Sequence, residues 1–292
     1  MTTLSRALDR MTASLENAEA LDRPADLLQS VTNRLPAGKV KDLLSGTDVG
    51  HPLHPVLVTV PIGMMTSAVT LDLLGRDRRT ARTLIGIGLL SAAPAAWTGW
   101  SDWNETQGAE RRVGLVHAVA NAVGLGLLAG SWLVRGRGRS GSALALTGMA
   151  ALGSAGWLGG HLAYALGVGV DTTAFQRPPT EWTDACALDD LASGTPVVAR
   201  VEDTPVLLVR QGGEILAVGD RCTHRGAPLH EGTVADGCVT CPWHDSIFDL
   251  RDGSVVQGPA TRPAPTFETR TVSGRVEVRR AEQRSLRLNP AS

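Results

Sequence analysis

Cys222-Thr223-His224 is followed, after sixteen residues, by Cys241-Pro242-Trp243-His244. Two thiolates and two imidazoles on two short arms are metal-ligating chemistry, and two kinds of centre accept that set. A tetrahedral zinc ion takes two Cys and two His. A two-iron cluster takes the Cys pair on one iron and the His pair on the other, which raises its reduction potential above that of an all-Cys cluster. Zinc knuckles more often pair a C-x-x-C arm with a His arm. Each arm here mixes one Cys with one His, which favours the cluster and so electron transfer.

Arms of this kind need a rigid frame. Pro205–Arg210, a Gly212-Gly213 turn and Ile215–Val218 are expected as a strand pair just before the first arm. Phe248–Val256 is expected as strand, turn, strand after the second. Pro259, Pro263 and Pro265 stiffen a loop, and Phe267–Arg280 alternates as strand. Residues 181–282 are therefore expected as a small antiparallel all-β domain.

The stretch CTHRGAPL…CPWHDSIFDL resembles Rieske ferredoxins and the Rieske domains of aromatic-ring oxygenases. The resemblance implies a [2Fe-2S] cluster held by Cys222, His224, Cys241 and His244, with the two His on the more solvent-facing iron as the exit for electrons. Rieske subunits of respiratory complexes carry an extra Cys in each loop, joined as a disulfide; Ala227 and Trp243 stand in those places. Family members usually have Gly after the last ligand, where this chain has Asp245, a carboxylate expected to lower the potential. Ser246 is either a hydroxyl donor to the cluster sulfur or an ordinary turn serine.

Ring oxygenases need a second iron on two His and a carboxylate. In the family that site follows the Rieske domain; none of the seven His (51, 54, 117, 161, 224, 230, 244) does so here, and oxygenase activity by this chain alone is not expected. His230, in a polar run, is expected as a surface histidine.

The front of the 292-residue chain differs in kind. Apolar stretches at 52–74, 83–100, 113–134 and 143–166 are each near the roughly 20 residues that cross a bilayer as helix. They are rich in Gly, Ala, Leu and Val and lack the polar face of helices in a soluble bundle. The expected architecture is α + β: a four-helix transmembrane bundle over 51–170, a linker at 171–180 containing Pro178-Pro179, the β domain, and a tail at 283–292. With His51-Pro52-Leu53-His54-Pro55, Trp100-Ser101-Asp102-Trp103 and Gly159-Gly160-His161, residues 45–170 resemble an uncharacterised bacterial four-helix membrane family, which implies architecture only. Within residues 1–50, Leu4, Leu8, Met11 and Leu15, then Leu27, Leu28, Val31 and Leu35, recur at helical spacing. They predict amphipathic helices lying on membrane lipid or packing on a partner.

Counting helices places His51, His54, His117 and His161 at one end of the bundle, with Trp97, Trp100 and Trp103. The β domain emerges at that end. Two of these His could ligate a b-type haem or a metal; the simpler reading is that they satisfy backbone groups at helix ends. Arginines 76, 78, 79, 82, 135, 137 and 139 at the other end argue by the positive-inside rule for an external β domain. The lack of an adjacent Arg pair before the fourth stretch, as a twin-Arg export route would use, and of cluster-loop disulfide cysteines argues for a cytoplasmic one. The expectation is a multi-pass protein of the bacterial cytoplasmic membrane with the Rieske domain in the cytoplasm. A net charge of −1 speaks against nucleic acid. The function expected is single-electron transfer between redox-partner proteins. The alternatives are a Rieske subunit of a quinone-linked oxidoreductase, or a non-redox scaffold or sensor with a structural cluster.

Overall fold

A computed structural model describes residues 2–32 and 36–281, with the side chains of Val31 and Thr32 undefined. Val31 as a stripe residue, Leu35 and the 283–292 tail thus lie outside the described residues. The chain forms two compact bodies. One comprises Met1–Pro36, Leu43–Gly46 and Pro52–Val170; the other comprises Ala37–Asp42, Thr47–His51 and Asp171 onward.

The first body is helical: α1 (Thr3–Glu16), α2 (Asp22–Thr32), then, after α3 (Lys39–Ser45) at the division, α4 (His54–Leu57), α5 (Thr59–Leu73), α6 (Arg78–Trp103), α7 (Gly108–Gly136) and α8 (Ser142–Tyr164). Small residues let the long helices touch. In α6 the buried positions Ala81, Ile85, Gly88, Ala92, Ala95 and Thr98 recur every three or four residues. A Cβ on Gly124 of α7 would come within 2.9 Å of the Gly148 carbonyl of α8, so only glycine permits that approach. The outward faces stay apolar, with Leu90, Val119, Val123, Leu133 and Leu146 exposed. Such a helix, apolar all round, suits lipid rather than water. Three segments are long and apolar enough to cross a membrane: His54–Leu73, Gly108–Gly136 and Ser142–Tyr164. The sequence expectation of four is corrected on this count. Helix α6 forms over 26 residues, but Ser91, Thr98, Ser101 and Asp102 and its arginine-rich start make it less apolar.

Two polar clamps hold this body. Asp72 and Arg135 form a two-pronged ion pair with each side chain only 2% exposed. Ser131 completes it by accepting from Arg135 Nε at 3.0 Å. Arg135, expected in a loop, therefore lies inside α7. At the other end Arg112 grips Asp22 through Nε and Nη2 at 2.8 and 2.6 Å, and Arg111 reaches Asp26. Ala25, Leu21 and Leu28 pack against Trp103 and Leu115. Helices α1 and α2 therefore find part of their apolar partner in this chain's own bundle, while Leu4, Met11 and Leu27 remain exposed.

The second body is antiparallel β: β1 (Thr183–Ala187), β2 (Val197–Val201), β3 (Thr204–Gln211), β4 (Glu214–Gly219), β5 (Thr233–Ala235), β6 (Cys238–Thr240), β7 (Ile247–Asp249), β8 (Val255–Gln257), β9 (Phe267–Val272) and β10 (Arg275–Arg280). They form three sheets in the orders β1-β10-β9, β2-β3-β4 and β5-β6-β7-β8. The expected β3–β4 hairpin pairs Val209 with Leu216 and turns at Gly212-Gly213, both with positive φ, as the tight primed turn requires. Leu207, Val209, Val218, Val239, Phe248 and Leu250 form a core that also takes in Cys222 and Cys241. The chemistry-bearing arms are thus anchored in the best-packed part of the domain.

Candidate metal centre

The first arm leaves β4 and the second is the loop between β6 and β7. Each is closed on itself by its own backbone. Cys222 N–H donates to Ala227 O at 2.9 Å and Gly226 N–H to Cys222 O at 2.9 Å. In the second arm Cys241 N–H donates to Ser246 O at 2.8 Å and Asp245 N–H to Cys241 O at 3.2 Å. Gly226 and Asp245 both have positive φ, 80° and 58°. The left-handed turn explains why glycine suits the place that Asp245 holds.

Outside contacts fix the arms. Asp220, nearly buried, accepts from His230 N at 2.8 Å and faces His230 Nδ1 at 2.8 Å. His230 is therefore not a plain surface histidine but a staple on the first arm. Thr172 Oγ1 donates to Cys222 O at 2.8 Å, and Thr223 Oγ1 donates to Arg262 O at 2.8 Å. Thr172 falls in the stretch expected as linker, and no spacing rule points to it or to Asp220.

The four candidate ligands meet as two pairs. Cys222 and Cys241 are both buried, and each thiol acts on the other. The His224 and His244 ring centroids lie 5.1 Å apart with planes at 83°. A thiol pair and an imidazole pair suit the two irons of a cluster, one pair to each iron. His224 is half-buried, but its Nδ1 is wholly buried with no hydrogen-bond partner. Such an orphan is expensive unless a metal takes its lone pair. The donor set therefore fits the cluster.

Electrostatics agree. The hydrogen bond with Cys222 holds the Cys241 thiol down at about 7 despite burial, helped by the Trp243 and His244 amides. The same bond, then burial, pushes Cys222 up. Burial first, then the charges of His244 and Lys41, push His224 down to about 3, keeping it neutral and able to ligate. Cys186 and Cys238, elsewhere in the domain, are pushed up by burial. Asp245 and Trp243 are exposed, Trp243 at 54%. Ser246 is fully buried and accepts from Ala260 N–H at 3.0 Å, which leaves its own O–H to donate.

Residues 181–268 match the Rieske [2Fe-2S] domain family. The chain is 38% identical over 98 residues to the anthranilate 1,2-dioxygenase ferredoxin subunit of Burkholderia cepacia, covering 34% of this chain and 91% of that protein. The chain belongs to the Rieske [2Fe-2S] family. This membership implies a [2Fe-2S] cluster. Ferredoxin CarAc of Metapseudomonas resinovorans is 36% identical, with 33% of this chain and 92% of that protein covered. Apoptosis-inducing factor 3 of Mus musculus is 33% identical over 34% of this chain, which spans only 16% of that protein. Residues 50–172 match a second family, described as predicted membrane proteins (DUF2231). This Rieske chain therefore carries its β domain behind a predicted membrane domain, and three of its helices are apolar enough to cross a bilayer.

The bundle histidines do not form one site. His54 and His117 lie 6.5 Å apart between ring centroids, at 80°. His54 Nδ1 bonds Ala95 O at 2.8 Å and His117 Nδ1 bonds Ala155 O at 2.7 Å. Asn121 Nδ2 lies 3.1 Å from His117 Nε2. His161 instead pairs with Glu16 at 2.8 Å and stacks on Trp157. His51 is exposed and belongs to the body of the β domain.

Proposed function

We propose that this chain is a membrane-anchored Rieske protein that passes single electrons between redox-partner proteins. The observation that carries it is the split of four ligand side chains into a thiol pair and an imidazole pair, with an orphaned buried Nδ1 on His224. Cys222 and Cys241 would hold one iron, and His224 and His244 the other; the bound cluster supplies one-electron transfer. The buried cysteines exclude water, while the half-exposed histidine rings offer the route out. Ser246 has a hydroxyl proton to give the cluster sulfur, a lever on potential. Asp245 adds a carboxylate beside it. The ferredoxin relatives support an oxygenase or a reductase as the class of partner.

Anchoring rests on the apolar helices and on the predicted membrane family. Ala37–Asp42 and Thr47–His51 belong to the same body as the β domain, so the chain leaves that body before α4 and returns after α8. The unpaired cysteines of the β domain support a reducing, cytoplasmic location. A single cysteine at the exposed Glu214 of the β domain tests this. Labelling from the cytoplasmic face alone supports it; labelling from the outer face of intact cells contradicts it. The function itself is tested by following reduction of the purified full-length protein by a ferredoxin reductase with NADH. Reduction and re-oxidation at one electron per chain support the reading, and a protein that takes up no electron overturns it.

A further inference from the structure

A strap from outside the Rieske fold is seated on the Gly258–Ala260 loop next to the second ligand arm. Ala37–Asp42 and Thr47–His51 precede the first membrane segment yet belong to the body of the β domain. Asp42 Oδ1 accepts from Gly258 N–H at 2.8 Å, and Thr47 Oγ1 donates to Ala260 O at 3.1 Å. Ala260 N–H in turn donates to Ser246 Oγ at 3.0 Å. The strap is thus two hydrogen bonds from the second ligand arm. Gly258 makes the seat possible: a Cβ there would come within 2.2 Å of Thr47 Oγ1 and 2.9 Å of Asp42 Oδ1. Lys41, immediately before Asp42 in the strap, is only 7% exposed. A lysine is rarely so buried without a role for its charge.

We propose that this strap sets the reduction potential of the metal centre, with the buried Lys41 adding a positive charge to the strap seated next to the second ligand arm. The inference rests on the reading that a cluster binds there. The Asp42 carboxylate is turned to the Gly258 amide. A cation in a water-poor site favours the more negative, reduced state of a neighbouring centre, and net charge and solvent exposure are known levers on iron–sulfur potentials. Lys41 acts through its field and is a positioning residue, not a ligand. No ligand motif points to it, because it lies 183 positions before His224 in the chain.

The test is an EPR-monitored redox titration of full-length protein in detergent, comparing wild type with Lys41→Gln, Lys41→Arg and Gly258→Ala. Lys41→Gln should reduce the reduced-to-oxidised ratio at fixed ambient potential about tenfold, a shift of about 59 mV for one electron. Lys41→Arg should restore the wild-type value. Gly258→Ala, which unseats the strap without touching Lys41, should shift the potential in the same direction. An intact cluster signal in each variant separates tuning from misfolding, and Gly258→Ala serves if Lys41→Gln does not fold. A Lys41→Gln protein with full signal and unchanged potential overturns the inference while leaving the cluster reading intact. A wild type with no cluster signal overturns the reading itself.

Discussion

The chain holds two histidine pairs, and they have opposite surroundings. His224 and His244 sit 5.1 Å apart next to two buried cysteines, and His224 Nδ1 is buried without a partner. His54 and His117 sit 6.5 Å apart between helices, and each Nδ1 is already spent on a helix carbonyl. In the first pair, His224 Nδ1 has a lone pair that a metal would take. The second is a polar crosslink that ties α4 to α6 and α7 to α8. Two close histidines are thus not enough to mark a ligand site; what each ring nitrogen already bonds decides.

Cys241→Ser makes the largest break in that contrast. It should abolish bound iron and the cluster's visible bands and leave the bundle helices folded, as read by iron analysis, absorption and circular dichroism. Asp72→Asn comes next. It leaves Arg135 charged and 2% exposed without its counter-charge, and should cost about 3–5 kcal/mol of stability in detergent unfolding. Replacing both partners by apolar residues should recover most of that loss.

His54→Ala and His117→Ala should each cost about 1–1.5 kcal/mol through the interhelical hydrogen bond lost, with cluster iron and spectrum unchanged. A pyridine haemochrome assay sharpens the point. A haem band lost in either variant would make the second pair a ligand site and end the contrast. The smallest effect is expected from Asp245→Gly. It relieves a left-handed φ of 58° and should stabilise the β domain by about 1 kcal/mol in thermal unfolding. Removing the carboxylate should also raise the cluster's potential.

What could be seen in the sequence followed the range of the interactions. The two arms are local, so C-x-H and C-x-x-H spacing names the candidates without a fold. The hairpin at Gly212-Gly213 is equally local, since two positive-φ positions demand glycine. The bundle showed itself through composition, and α6 was the helix where composition and length pulled apart. Long-range partners left no trace. Arg112 meets Asp22 and Asp42 meets Gly258 across 90 and 216 positions, and nothing about either residue alone foretells it. His230 looked like a surface residue because its buried partner, Asp220, was ten positions away in an apparently ordinary loop. Burial of His224 Nδ1 needed the folded core to become visible.

The central claim is that Cys222, His224, Cys241 and His244 hold a two-iron cluster rather than a single ion. Metal analysis of the full-length protein, with EPR after dithionite reduction, tests it most directly. The account predicts a red-brown protein with about two irons per chain and a rhombic signal of low average g, as nitrogen ligation on one iron requires. A colourless protein with one zinc per chain and no such signal would contradict it.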